Sequence, residues 1–129
     1  MPQATNLVIK NSAGVDKTFT LITPAAGYGA VADWALKEGS ISTVFPRLTA
    51  SATKKPNSQN LKVKFYLPSS FTDTVTGLTN VGSRAEVNVD VAIPNDFPEA
   101  LKDDFVAFST NAFKTSLLQA MWRDATPAT

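Results

Sequence analysis

The feature that most constrains the fold is a pair of segments, 47–53 and 61–67, in which apolar and polar residues alternate. Successive side chains of a β-strand point to opposite sides, so each segment predicts a strand with one apolar and one polar face. A polar turn at 54–60 joins them, and a third alternating segment follows at 86–93. Together they predict an antiparallel sheet with its apolar side on a core.

The polar sides of the three segments mix cationic, acidic, hydroxyl, amide and aromatic groups. The residues are Arg47, Thr49, Ser51, Thr53, Lys62, Lys64, Tyr66, Glu86, Asn88 and Asp90. Plain solvation is one interpretation of such a face. The other is a surface for single-stranded RNA, because lysine and arginine hold phosphates while tyrosine, hydroxyl and amide groups stack on or hydrogen-bond unpaired bases.

The composition excludes several classes of protein. The 129 residues suffice for one domain, predicted over 1–129, and include no cysteine and no histidine. Disulfides, thiol nucleophiles, the usual zinc sites and histidine-based catalysis are therefore excluded, and no cofactor or metal is expected. The remaining carboxylates, such as Asp90 with Glu86, have no visible activating partner, so an enzyme is disfavoured.

Charge and hydropathy limit the partners. Twelve basic residues against eleven acidic ones give a net charge of +1, so a basic surface for a partner must be local. No apolar run is long enough to cross a bilayer, and the start of the chain lacks the pattern of a secretion signal. We therefore expect synthesis in the cytoplasm and no membrane partner.

The segments before the alternating strands are also predicted to be extended. Runs at 7–10 and 17–22 flank a turn of Asn, Ser and Gly, which predicts an N-terminal hairpin within 1–24. The segment 30–35 is predicted as a strand that begins the sheet region 30–93, although its alanines also favour a helix. The Thr-, Ser- and Gly-rich stretch 68–83 is predicted as a long loop that makes assembly contacts.

The last part of the chain changes to a helical period. Asp96, Pro98 and Glu99 predict a capped helix start. Apolar spacing predicts two helices over 96–123, the second of them after Thr115. These helices concentrate large apolar residues: Phe97, Phe105, Phe108, Phe113, Met121 and Trp122.

Two arrangements would cover these apolar side chains. One is an α+β monomer whose helices pack on its own sheet. The other is a dimer whose helices reach over the partner's sheet, and we favour it because the helices carry more apolar surface than one small sheet can cover. The predicted fold class is α+β, with an N-terminal β-hairpin, an antiparallel sheet of about five strands and two C-terminal α-helices.

The order of elements resembles the coat proteins of single-stranded RNA bacteriophages, the levivirus-like family. Segment 30–34 is similar to the family's Gly-Val-Ala-Glu-Trp, and 47–51 to its Lys-Val-Thr-Cys-Ser. Segment 60–68 is similar to Lys-Tyr-Thr-Ile-Lys-Val-Glu-Val-Pro, and 85–94 to Tyr-Leu-Asn-Met-Glu-Leu-Thr-Ile-Pro. The similar segments follow in the same order over essentially the whole chain. The resemblance depends on all of them together, since no single segment is diagnostic of the family.

The resemblance implies a fold and a role. It implies an interlocked homodimer whose helices cross onto the partner, and assembly of dimers into an icosahedral shell around a single-stranded RNA genome. It also implies that the inner face of the sheet binds RNA, including an operator stem-loop through which the protein represses replicase translation. The expected location is the virion, with a maturation protein as a further partner.

The resemblance also implies roles for individual residues. Val31, Thr49, Ser51, Lys62 and Lys64 match positions that form the family's pockets for unpaired adenines. The remaining matches are Asn88 and Asp90 at an amide and an acidic position of the last strand, and Arg47 at a phosphate-facing lysine.

Some positions depart from the family pattern. Glu86 stands where one branch has a base-stacking tyrosine, and a carboxylate there would repel phosphate unless it pairs with a neighbouring lysine. Tyr66 on the same face is a possible substitute, and Thr53 replaces an arginine of that branch. Some relatives crosslink their long loops through cysteines, whereas shell contacts here must be noncovalent.

Two alternatives stay open. The first is a small monomeric α+β binding module that holds a hydrophobic ligand among Val31, Trp34 and Tyr66. The second concerns Lys54 and Lys55 at the strand turn, which could bind RNA or simply be solvated.

Overall fold

The computed structural model describes residues 3–38 and 44–129. The chain divides into two compact units, Met1–Ile93 and Pro94–Thr129. The strands are β1 (Leu7–Lys10), β2 (Asp16–Thr23), β3 (Val31–Ala35), β4 (Arg47–Lys54), β5 (Ser58–Thr72) and β6 (Thr79–Pro94), and they lie in the first unit up to the last residue of β6. The second contains a 3-10 helix (Glu99–Leu101) and helices α1 (Lys102–Ala112) and α2 (Ser116–Asp124).

The six strands form one antiparallel sheet in sequence order, β1 to β6. The prediction of an α+β fold with an N-terminal hairpin, an antiparallel sheet and two C-terminal helices is confirmed. The sheet has six strands rather than about five, because both strands of the hairpin belong to it.

The N-terminal hairpin is fixed by its turn. The side-chain oxygen of Asn11 accepts hydrogen bonds from the backbone N–H groups of Ala13 and Val15, both at 3.0 Å. Gly14 adopts a φ of 78°, a left-handed conformation that favours glycine. Beyond the turn, Lys10 of β1 pairs with Asp16 of β2 at 2.8 Å.

Segment 30–35 forms a strand, as predicted, and not a helix. Ala32 and Ala35 of β3 are buried, with 6% and 2% of their surface exposed. The indole N–H of Trp34 donates to the backbone oxygen of Thr5 at 2.8 Å. The small alanine side chains allow close packing in the sheet, and this tertiary packing overrides their preference for a helix.

The predicted loop 68–83 is wrong in extent. Strands β5 and β6 run into it from both sides, and only 73–78 connects them. The Asp73 carboxylate accepts from the N–H of Val75 at 2.8 Å, and Gly77 has a φ of 71°. Ser69 Oγ donates to the backbone oxygen of Ser83 at 2.5 Å. The segment lacks apolar alternation, but its threonines and serines suit strands held by backbone pairing.

The apolar face of the sheet is the one that the sequence predicts. The β4–β5 register places Leu48 opposite Phe65 and Ala50 opposite Val63. Phe19 of β2 is 5% exposed, and its ring lies 6.1 Å from that of Phe65. Most of the other large apolar side chains on this face are half-buried or exposed.

The helical unit follows the prediction except at its cap. Asp96 does not cap a helix, because the 3-10 helix begins after Pro98, whose side chain makes no capping hydrogen bond. Lys102 instead pairs with Glu99 at 2.7 Å across the first turn. Thr115 precedes α2, as predicted.

Aromatic contacts stabilise the helical unit locally. The rings of Phe97 and Phe105 are 6.3 Å apart, and those of Phe113 and Trp122 are 5.4 Å apart. No residue of α1 or α2 is buried. Over the described ranges, no helix is long and apolar enough to cross a membrane.

Candidate nucleic-acid interface

The β4–β5 register brings the predicted polar residues together. Residues directly opposite each other in antiparallel strands point to the same side of the sheet. The opposed polar pairs are Arg47 with Tyr66, Thr49 with Lys64, Ser51 with Lys62, and Thr53 with Asn60. We call the side of the sheet that carries these residues the polar face.

Strand β3 extends the polar face beyond β4. Val31 lies opposite Ser51, and Asp33 lies opposite Thr49. Val31 keeps 52% of its surface exposed, which leaves a small apolar patch next to the hydroxyl groups. The five residues predicted to surround unpaired adenines are therefore contiguous: Val31, Thr49, Ser51, Lys62 and Lys64.

Contacts between β5 and β6 add the last strand to this face. The guanidinium carbon of Arg84 lies 4.7 Å from the centre of the Tyr66 ring, and Arg84 pairs with Glu86 at 2.8 Å. Alternation along β6 places Asn88 and Asp90 on the same side as these two residues. A surface depression of about 290 Å³ is lined by Lys62, Val63, Lys64, Asn88, Val89 and Asp90.

The cations of the polar face differ in how far they are neutralised. Arg47 lies 3.6 Å from the Asp33 carboxylate, and Arg84 is paired with Glu86. Among the described residues, Lys62 and Lys64 have no carboxylate within ion-pair distance. Lys62 and Lys64, beside the hydroxyls of β4, are therefore the cations of the polar face left without an ion pair in the described chain, and Asp90 is the acidic residue that lines the same depression.

Two features of the site were not predicted from the sequence. Glu86 pairs with Arg84, whereas the sequence suggested a neighbouring lysine. Arg84 was not predicted as a site residue because it directly follows the stretch 68–83, which was predicted as a loop. Asp33 was also missed, although its Oδ1 is buried and has no hydrogen-bond partner among the described residues. Its place between Val31 and Ala35 on one side of an alternating strand was the available signal.

The turn lysines remain at the margin of the polar face. Lys54 and Lys55 are both exposed. With the Asn60 amide oriented to accept, Lys55 Nζ donates to its oxygen at 3.0 Å. This contact fixes Lys55 beside the exposed Thr53, and it leaves both interpretations of the lysine pair open.

The chemistry of the site is that of binding. The described part of the chain contains no group of three or more His, Cys, Asp or Glu side chains placed to hold a metal ion. The face instead presents ammonium and guanidinium donors, hydroxyls, two amides and one aromatic ring on rigid strands. These groups suit phosphates and the edges and planes of unpaired bases.

Two virus-like particles and a phage capsid are among the solved structures that share this fold. The virus-like particle of bacteriophage NT-214 matches with a TM-score of 0.86 and 17% identity, over 99% of this chain and 100% of that chain. That of Beihai levi-like virus 21 matches with a TM-score of 0.84 and 20% identity, over 99% of each chain. The bacteriophage GA protein capsid matches with a TM-score of 0.67 and 18% identity, over 93% of this chain and 94% of that one.

At identities of 17–20%, these likenesses show the fold alone. No curated protein sequence matches the chain significantly. The family model described as levivirus coat protein matches residues 2–127, so the chain belongs to the levivirus coat protein family. It is a structural protein of the virion and not an enzyme. A capsid role implies that copies of the chain associate with one another.

Proposed function

We propose that the chain forms homodimers that close into an icosahedral shell around single-stranded RNA, with the polar face turned toward the RNA. Family membership supports the shell. The observation that carries the RNA-binding part is the row of two unneutralised lysines, Lys62 and Lys64, paired in register with Ser51 and Thr49.

The edge of the sheet supports dimerisation. Strand β6 spans sixteen residues and lies at the end of the strand order, so its outer backbone groups have no strand partner in the described chain. A long unpaired edge is a template for pairing with another strand. A second copy related by a twofold axis would pair the same edge with itself and join two sheets into one.

The exposed apolar surfaces support the same arrangement. Phe108 of α1 is 75% exposed, and Leu117 and Trp122 of α2 are also exposed. On the sheet, Leu61 is exposed on the apolar face. Large apolar side chains in such numbers mark interaction surfaces. Helices of one copy covering the sheet of the other would remove both from water.

The polar face supports recognition of unpaired bases. Hydroxyl groups of Thr49 and Ser51 can hydrogen-bond base edges, while the two lysines reach phosphates. Val31 supplies an apolar contact beside them. Specific RNA recognition reads bases that are splayed out of loops or bulges, so an operator stem-loop is the proposed ligand and repression of replicase translation the proposed consequence.

The first test is negative-stain electron microscopy of the protein expressed alone, with nuclease-protected RNA extracted from the same chromatographic peak. Uniform closed shells that contain RNA are the expected result. A small monodisperse species without RNA would contradict the proposal and favour the monomeric binding module. Empty shells would retain the coat role but remove RNA packaging by this protein alone.

A further inference from the structure

A second concave pocket lies beside Tyr66, away from the lysine row. It encloses about 380 Å³ and is lined by Phe45, Arg47, Tyr66, Pro68, Val81 and Arg84. Four of these residues give it apolar or aromatic walls, and two bring guanidinium groups. We call it the arginine pocket. A cavity with this lining suits a flat, partly apolar ligand that carries a negative charge.

Arg84 is held by two contacts and stays more than half exposed. The guanidinium carbon lies over the Tyr66 ring, 4.7 Å from its centre, and the carboxylate of Glu86 accepts from the same group at 2.8 Å. The side chain as a whole is 58% exposed. A planar group fixed by a ring and an ion pair loses little rotamer freedom when it is contacted. Guanidinium planes are surfaces on which unpaired bases stack.

Arg47 supplies free donors to the same pocket. It lies opposite Tyr66 in the β4–β5 register, and its Nη1 is 3.6 Å from Asp33, which is beyond hydrogen-bond distance. A guanidinium has five N–H donors in a fixed fork that suits phosphate oxygens. The pocket therefore combines a stacking group on β6 with a phosphate donor on β4, two strands away in the sheet order.

We propose that the arginine pocket binds one unpaired nucleotide of single-stranded RNA, with the base stacked on the guanidinium plane of Arg84 and the phosphate bound by Arg47. This inference rests on the proposed RNA-binding function and adds a subsite to it. Because Glu86 already neutralises Arg84, the contribution of Arg84 comes from stacking and depends little on salt.

The test compares Arg84→Lys with the wild type and with Arg123→Lys. Lysine keeps the charge at position 84 but has no plane for stacking. Arg123 is a matched control, because it is an exposed arginine that pairs with the adjacent Asp124 in the helical unit. The full chain, purified free of nucleic acid, binds a fluorescein-labelled five-nucleotide adenylate RNA, measured by anisotropy over a range of salt concentrations.

We expect Arg84→Lys to weaken binding by about tenfold at every salt concentration, the loss of one base stack, and Arg123→Lys to bind as the wild type does. Five further RNAs, each with one base replaced by an abasic ribose, repeat the test without a change in the protein. At least one of them should weaken binding to the wild type and leave binding to Arg84→Lys unchanged.

Equal affinity of Arg84→Lys and the wild type would overturn the inference, as would abasic substitutions that weaken both proteins alike. A change in the sedimentation of the RNA-free protein, with unchanged RNA affinity, would assign the pocket to a protein contact instead. Failure of the proposed function is distinct: the wild type would then bind no RNA. If Lys64→Ala weakens binding and Arg84→Lys does not, only the pocket is refuted.

Discussion

Replacing Lys64 with alanine should weaken RNA binding in a way that depends on salt. Lys64 and Lys62 are the cations of the polar face without a carboxylate partner in the described chain, so each can neutralise one phosphate. For a single strand, each neutralised phosphate contributes about 0.7 to the slope of log affinity against log salt. Lys64→Ala should therefore reduce that slope by about 0.7, and the double variant with Lys62→Ala by about 1.4.

The same slope gives the loss of affinity. Relative to 1 M salt, one phosphate contact strengthens binding about fivefold at 0.1 M, which corresponds to about 1 kcal/mol. Gel-shift or filter-binding titrations at four salt concentrations measure both quantities, while electron microscopy checks that particles still form. Thr49→Ala should weaken binding without a change of slope, because it removes a hydroxyl and no charge.

Lys10→Ala is the matched control for this prediction. Lys10 is an exposed strand lysine, but it lies in the N-terminal hairpin and is paired with Asp16 at 2.8 Å. Its removal should leave both affinity and slope unchanged. An unchanged slope for Lys64→Ala, or an equal change for Lys10→Ala, would refute the assignment of RNA to the polar face.

Two further predictions concern stability. A Cβ at Gly82 would lie 2.7 Å from Ser69 Oγ, so Gly82→Ala should lower the free energy of unfolding by about 1 kcal/mol, because it displaces that hydroxyl from its hydrogen bond. In urea unfolding, this loss should be smaller in a Ser69→Ala background, and an equal loss there would contradict the stated cause. Phe19→Ala removes a buried ring that contacts Phe65 and should lower the free energy of unfolding by about 3 kcal/mol; a loss below about 1 kcal/mol would show that Phe19 is not part of the core.

Local pattern predicted the elements of this protein and the faces of its strands. Period-two alternation identified β4, β5 and much of β6, because the side a strand residue faces depends only on its position in the alternation. The hairpin turn at Asn11 and the start of α2 after Thr115 were also read from adjacent residues. The extension of β5 and β6 into 68–83 was not predicted, because the strands there are held by backbone pairing and their residues do not alternate between apolar and polar.

The sequence alone thus determined which residues share the polar face, and family resemblance assigned roles to them. Only the tertiary structure decided which of its cations are neutralised. Asp33 approaches Arg47 because β3 pairs with β4, and Arg84 lies over Tyr66 because β6 returns beside β5. These contacts depend on strand register between segments that are distant in the chain. Periodicity within a segment contains no information about that register, so the arginine pocket could be found only in the folded sheet.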